Sequence, residues 1–184
     1  MPLVLANLKV LIIPIEGKSV TMSTLHIDVE RFSIISSRSF DRILSQLEAA
    51  VGHPDIQTFT KNMAAAKTPQ DLTRIVQDVV SKKGLMEFTR FNIGEVLRKE
   101  RGPGSPRILR LVIGNPLIMK EMAKHVPDAA SYAPVTILID ERPDGVHVSY
   151  DRMASFLTPY GNTEALKVAN DLDNKIESLL KEIT

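Results

Sequence analysis

The sequence predicts an α+β protein built on an antiparallel sheet, and three observations carry that prediction. Two apolar segments, Val135–Ile139 and Val146–Tyr150, flank Pro143-Asp144-Gly145, whose fixed φ, capping side chain and glycine are typical of a tight turn between antiparallel strands. The predicted elements run strand, helix, helix, strand, strand, helix, strand, strand, helix, which does not alternate as a doubly wound fold requires. An apolar stripe from Leu166 to Ile183 predicts a long C-terminal helix.

Residues 1–21 form an N-terminal extension, and residues 22–184 form a single α+β domain. The extension has three open interpretations: an extra strand over Leu8–Ile15, a targeting or membrane-surface segment, or an upstream extension in which Met22 is the natural start. Lys9 and Pro14 interrupt its apolar run, which leaves far fewer than the ~20 residues that a membrane span needs. We therefore expect no membrane span and a cytoplasmic protein.

The first half of the domain begins with a strand over His26–Ile35. Ser39 caps a helix that ends at Gly52, and the connector 53–67 is partly helical. Thr68-Pro69 starts a second helix that ends at Gly84. Leu85–Lys99 is then predicted as one long strand with a bend at Gly94, followed by a Gly- and Pro-rich loop.

In the second half, Ile108–Ile113 forms a strand, and Asn115 caps a short helix that has Pro116 at its first position. Val135–Ile139 is apolar on both faces and is predicted to be a central, covered strand. The segment 151–159 is predicted to be a loop, and Asn162 or Thr163 starts the C-terminal helix.

The run VIGNPLIMKEMAKHVPDAASYAPVTILIDE (112–141) resembles domain-of-unknown-function family 302. The positions that carry the resemblance are Gly114, Asn115, Pro116, Pro127, Tyr132 and Pro134. The resemblance covers Leu25–Leu157 and is weak over 55–83. It implies a TBP-like α+β fold, with an antiparallel sheet that carries helices on one face, often as a homodimer. It implies no activity.

Composition excludes several classes of function. The chain has no cysteine, which excludes disulfides, thiolate nucleophiles and Cys-ligated metals. A net charge of +1 provides no global attraction to nucleic acid or to a membrane. The four histidines have no ligand spacing, so the sequence predicts no metal site, and it specifies no cofactor.

Six residues are the candidates for a binding site, and each has a structural explanation beside the functional one. Asn115 could hold an anion at the helix start or could simply cap that helix. His147 and Ser149 would line an open sheet face, whereas His125 fits the favourable end of a helix dipole. Met119 and Met122 could line an apolar pocket or fill the core. In chain order the candidates are Asn115, Met119, Met122, His125, His147 and Ser149.

From these observations we expect a non-catalytic module that binds a small molecule or another protein and acts as a homodimer. Its expected ligand is a small apolar or anionic molecule. The alternative is an enzyme that uses His147 or His125 with a nearby carboxylate. A weaker alternative is nucleic-acid binding through the basic residues of 98–110, for which a solvated basic loop is the favoured interpretation.

Overall fold

The computed structural model describes residues 8–15 and 18–184, and that part of the chain forms seven strands and seven α-helices. Residues 1–7 and 16–17 of the predicted extension lie outside the described residues. The strands are β1 (Leu8–Ile15), β2 (Lys18–Leu25), β3 (Arg31–Ser36), β4 (Met86–Asn92), β5 (Ile108–Gly114), β6 (Val135–Arg142) and β7 (Gly145–Asp151). The helices are α1 (Phe40–Ala50), α2 (Ile56–Ala65), α3 (Pro69–Gln77), α4 (Ile93–Arg101), α5 (Pro116–Ala123), α6 (Met153–Leu157) and α7 (Thr163–Ile183).

The main sheet has five strands in the order β3-β7-β6-β5-β4, and every neighbouring pair is antiparallel. This confirms the predicted fold class. The β6–β7 hairpin closes at Arg142↔Gly145, so Pro143 and Asp144 form a two-residue loop as the turn signal indicated. Gly145 has a φ of 138°, and a Cβ there would lie 2.8 Å from the carbonyl oxygen of Ser36. The glycine is therefore required both by the turn and by the neighbouring strand.

One face of the sheet carries the core. Alternate residues of β5, β6 and β7 pack there against α1, α5, α6 and α7, as the strand period of two requires. β6 is the central strand of the sheet, as predicted. The prediction that it is covered on both faces is wrong: Val135, Ile137 and Ile139 are buried against the helices, whereas Thr136 and Leu138 on the other face are only half-buried. The C-terminal helix α7 begins at its cap Asn162 and supplies the longest apolar stripe of this core.

The opposite face of the sheet, here called the outer face, presents the other alternate positions. Ile35 is 57% exposed and Phe91 is 47% exposed. Val112 and Leu138 in the middle of this face are half-buried. The outer face therefore combines exposed apolar side chains with polar ones.

A buried carboxylate joins the end of β7 to α6 and α7. Asp173 is fully buried within the apolar stripe of α7. It accepts hydrogen bonds from the Tyr150 hydroxyl (2.5 Å) and from the backbone N–H groups of Met153 (2.7 Å) and Ala154 (3.0 Å). Burial, reinforced by the Asp173 charge, raises the pKa of Tyr150. Asp173 thus supplies the N-terminal acceptor that α6 lacks in its own sequence.

The prediction of one strand over 85–99 is wrong beyond Asn92, where the chain turns into α4. Asn92 Oδ1 accepts from the N–H of Glu95 at 3.1 Å, which caps the helix. Gly94 is buried, and any side chain there would clash, because a Cβ at this position would lie 2.8 Å from the backbone nitrogen of Ile108. The glycine read as a bend in a strand instead allows α4 to pack closely on the start of β5.

Two further connectors are helical. The segment 151–159, predicted as a loop, contains α6 and a 3-10 turn over Thr158–Tyr160. The partly helical connector 53–67 contains α2, capped by Asp55 at 2.8 Å from the N–H of Thr58. Both segments have too few apolar residues at helical spacing to be assigned by period alone.

The predicted extra strand over Leu8–Ile15 is present as β1. It pairs antiparallel with β2 in a separate two-stranded sheet, from Leu8↔Leu25 to Ile15↔Lys18. The two-stranded sheet is followed by β3, an edge strand of the main sheet. Among the described helices, none combines the length and the apolar content needed to cross a membrane.

Candidate functional site

Asn115 makes two hydrogen bonds that fix the start of α5. Its Oδ1 accepts from the N–H of Leu117 at 2.8 Å, and its Nδ2 donates to the carbonyl oxygen of Gly84 at 2.9 Å. Both ends of the amide are therefore used within the fold. The cap is the structural role that the sequence indicated, and the bond to Gly84 adds a link to the chain before β4.

The other helix-side candidates lie in and around α5. Met122 is fully buried in the core, and Met119 packs against that core from a half-buried position. His125 is exposed just beyond the helix. These positions place the two methionines on the covered side of the sheet with Asn115.

His147 and Ser149 lie on the outer face of β7, as the strand alternation predicted. His147 is 8% exposed and its Nε2 lies 2.8 Å from Asp144 Oδ1. This hydrogen bond lowers the pKa of the Asp144 carboxyl. The six predicted binding residues thus divide between two sides of the sheet, and no single concavity contains all of them.

A cleft of about 410 Å³ opens at the corner where four elements meet, and we call it the arginine cleft. Two elements provide an apolar floor, and two provide most of the polar groups. The first two turns of α1 contribute Phe40 and Leu44, and β5 with the residue before it contributes Leu109 and Arg107. The end of β4 contributes Arg90 and Asn92, and the first turns of α4 contribute Glu95 and Arg98.

Arg90 is held rigidly by two carboxylates. Its Nε and Nη2 donate to Glu87 at 2.6 Å each, and its Nη1 donates to Glu48 at 2.6 Å. The hydrogen bonds to the largely buried Glu87 are the main cause of a raised pKa for Arg90. Arg90 is therefore an ordered part of the cleft wall, and its charge is compensated by these two carboxylates.

Arg107 joins the charged and the apolar parts of the cleft. Its guanidinium carbon lies 4.0 Å from the centroid of the Phe40 ring, and its Nη2 donates to Asp41 at 2.7 Å. The hydrogen bond to Arg107 lowers the pKa of the exposed Asp41 carboxyl. Arg107 is thus positioned by a cation–π contact below and by a solvent-facing carboxylate beside it.

Arg98 is the most loosely held arginine of the cleft. Its Nη1 donates to Glu95 at 2.9 Å, one turn earlier on α4. The two side chains are 39% and 49% exposed, so this ion pair can exchange with solvent. Arg98 can therefore reorient towards a bound anion at small cost.

The sequence contained only part of the signal for this cleft. Arg98 and Arg107 stand out in the basic segment 98–110, but Phe40 and Arg90 lie far from it in the chain. Recognising them together requires knowing that β4 ends at Asn92 and that α1 crosses the sheet at the same corner. Within the described residues, no group of three or more His, Asp or Glu side chains is arranged to hold a metal ion.

Comparison with known proteins agrees with the fold. A family profile with the description "Domain of unknown function DUF302" matches residues 59–183. No curated protein matches the chain. Among solved structures, the chain is similar to "uncharacterized conserved protein DUF302 from Bacillus stearothermophilus", with a TM-score of 0.59 at 10% identity over 84% of this chain and 98% of that chain.

At 10% identity this structural likeness shows the fold and nothing more. The profile match is stronger, because it extends over well over half of the chain and includes the Gly114-Asn115-Pro116 motif and the β6–β7 hairpin. The chain therefore belongs to the family Domain of unknown function DUF302, as the resemblance of its 112–141 segment predicted.

Proposed function

We propose that this protein is a binding module for a small molecule and that the arginine cleft is its binding site. The observation that carries the proposal is the convergence of three arginines on an apolar floor in one cleft of about 410 Å³. Ligand sites are typically clefts of about 300–1,000 Å³, lined by apolar groups with a few placed polar ones.

The rigidity of the cleft supports the same proposal. Phe40 and Leu109 are 3% and 5% exposed, so the floor is part of the packed core. Arg90 is fixed by Glu87 and Glu48. A site whose walls are ordered before the ligand arrives loses little conformational entropy on binding.

A substitution that fills the cleft tests this function. Leu44→Trp would occupy the space above the floor, and Leu166→Trp, at another half-buried leucine on a helix, is the matched control. The probe is the apolar fluorophore N-phenyl-1-naphthylamine, whose emission rises in a water-poor site. We expect saturable binding to the wild type and to Leu166→Trp, and loss of binding in Leu44→Trp. Equal binding in both variants, or none in the wild type, would refute the proposal.

The alternative function is an enzyme, and the His147–Asp144 hydrogen bond of 2.8 Å is the observation that favours it. This pair belongs to the hairpin turn on the outer face, on residues that do not line the arginine cleft. Stabilisation of the turn already accounts for it. Binding at the cleft is therefore the leading proposal.

We further propose that two copies associate through the outer face. Ile35 and Phe91 are exposed on the two edge strands of this face, and the half-buried Val112 and Leu138 lie on strands between them. An apolar surface that extends across a sheet face favours a protein partner. Ile35→Lys should convert a dimer into a monomer in size-exclusion chromatography with light scattering. Val96→Lys is the control, because Val96 is 63% exposed on α4. A monomeric wild type would refute this assignment.

A further inference from the structure

We propose that the ligand of the arginine cleft is an organic acid, whose acidic group is bound by Arg98 and Arg107 and whose apolar part lies on Phe40, Leu44 and Leu109. This inference rests on the proposed function and names the chemical class of the ligand. Three observations support it. Some N–H donors of the cleft are not used by the protein, the charged groups lie beside apolar ones, and two carboxylates are exposed enough to move away.

Arg98 and Arg107 retain donor capacity. Each guanidinium carries five N–H donors in a planar fork. Within the described residues, hydrogen bonds occupy one nitrogen of Arg107, bonded to Asp41, and one nitrogen of Arg98, bonded to Glu95. The remaining donors match the two oxygens of a carboxylate or sulfonate. Arg90 differs, because all three of its nitrogens already bind Glu87 and Glu48.

Asn92 adds a neutral donor to the lining of the same cleft. Its Oδ1 is used to cap α4, where it accepts from the N–H of Glu95. Because Oδ1 of Asn92 points at the helix start, the NH₂ group of the same amide points away from it. An acid bound by Arg98 would find this NH₂ group among the lining groups of the same cleft.

The position of Arg107 over Phe40 indicates the rest of the ligand. With the guanidinium carbon 4.0 Å from the ring centroid, an anion on Arg107 lies directly beside an apolar floor. Leu109 and Leu44 continue that floor. A ligand with an acidic group attached to an alkyl or aryl body satisfies both parts, whereas inorganic phosphate would leave the floor without a contact.

Asp41 and Glu95 neutralise the two arginines before a ligand binds. Their side chains are 79% and 49% exposed, so each can turn into water when a ligand acid replaces it. They therefore act as internal competitors of the ligand. Removal of either carboxylate should strengthen the binding of an acid, which is a gain that a merely structural ion pair would not produce.

A pair of matched probes tests the ligand class. The anionic 8-anilinonaphthalene-1-sulfonate and the neutral N-phenyl-1-naphthylamine share the same aromatic body and differ by the sulfonate. We expect the anionic probe to bind about tenfold more tightly, the scale of one charge-assisted hydrogen bond. Arg98→Gln should remove most of that preference, and Glu95→Gln should tighten the anionic probe several-fold without changing the neutral one.

Arg74→Gln is the matched control for Arg98→Gln. Arg74 is an exposed helical arginine paired with Asp71 three residues earlier, as Arg98 is with Glu95, but it lies on α3 away from the cleft. We expect this variant to bind both probes like the wild type. Decanoate should displace the anionic probe at lower concentration than decan-1-ol, and added salt should reduce the difference.

The failures of the two proposals are distinguishable. If both probes bind with equal affinity and Leu44→Trp abolishes both, the cleft is a binding site but the acid assignment is wrong. If Glu95→Gln leaves the anionic probe unchanged, Arg98 is not a ligand donor and the inference is also overturned. If Leu44→Trp binds both probes as tightly as the wild type does, the cleft itself is not the site.

Discussion

At the scale of single residues, Asp173 is the most deeply buried polar or charged residue in the part of the chain that the structure describes. A fully buried carboxylate is costly unless hydrogen bonds compensate its lost hydration. Here the Tyr150 hydroxyl and two backbone N–H groups donate to it, and Arg152 lies nearby with its Nε 3.9 Å from Oδ2. The apolar stripe of α7 gave no indication of this role, because the partners come from β7 and α6.

Replacement of this carboxylate should destabilise the protein strongly. Asp173→Asn keeps the size of the side chain but turns one acceptor into a donor that faces other donors. We expect a loss of about 2–4 kcal/mol in the free energy of unfolding, measured by urea denaturation. Asp171→Asn, at an exposed position on the same helix, should change it by less than about 0.5 kcal/mol. Similar values for the two variants would contradict the assigned role.

For the arginine cleft, the sequence indicated a group of basic residues but not which of them lie on the same face of the sheet. The cluster Arg98, Arg107 and Arg110 was apparent, but its members face different surroundings. Arg110 lies on the outer face with its guanidinium carbon 5.5 Å from the Phe91 centroid, whereas Arg107 stacks on Phe40 on the covered side. Strand alternation separates neighbours that a linear reading groups together.

At the scale of elements, four helix starts with a local cap were predictable from the sequence, whereas the starts of α4 and α6 were not. Ser39, Thr68, Asn115 and Asn162 all cap the helices for which the sequence indicated them. The start of α4 was missed because Phe91 and Ile93 continue a strand-like pattern across Asn92. The start of α6 was missed because its acceptor, Asp173, lies about twenty residues later in the chain.

Asn115 and Asn162, which both cap helices, should respond differently to the same substitution. Aspartate caps a helix as well as asparagine does, so Asn162→Asp should be nearly neutral. Asn115→Asp loses the donor to the Gly84 carbonyl and places a charge beside that oxygen. We expect Asn115→Asp to lower the free energy of unfolding by about 1–3 kcal/mol in thermal or urea denaturation. Equal effects would show that the Gly84 contact contributes nothing.

At the scale of the whole molecule, stability at low pH depends on several surface carboxylates whose pKa values are lowered in the folded state. Their main partners are known in each case: Arg107 for Asp41, Thr58 for Asp55, Thr68 for Asp71, Lys124 for Glu121 and His147 for Asp144. A carboxylate with a lowered folded pKa stabilises the folded state above its unfolded pKa. That contribution disappears as the pH falls through the folded pKa.

We therefore expect the free energy of unfolding to be level from neutral pH down to about pH 5 and to fall below it, where free Asp and Glu begin to titrate. Urea denaturation between pH 7 and pH 2.5 measures this. Asp144→Asn should reduce the slope in the acidic range, because it removes one of the contributing groups. A stability that rises on acidification would contradict the assignment.

The order of the strands has a consequence for the synthesis of the chain. β3 pairs only with β7 in the main sheet, and the Arg31–Asp151 contact between them spans 120 residues. While a ribosome is still translating the residues before β7, β3 has no neighbour, although β4, β5 and β6 can already form a meander from local segments. In the nascent chain β3 therefore stays without a strand partner, and accessible to chaperones, until β7 has been synthesised.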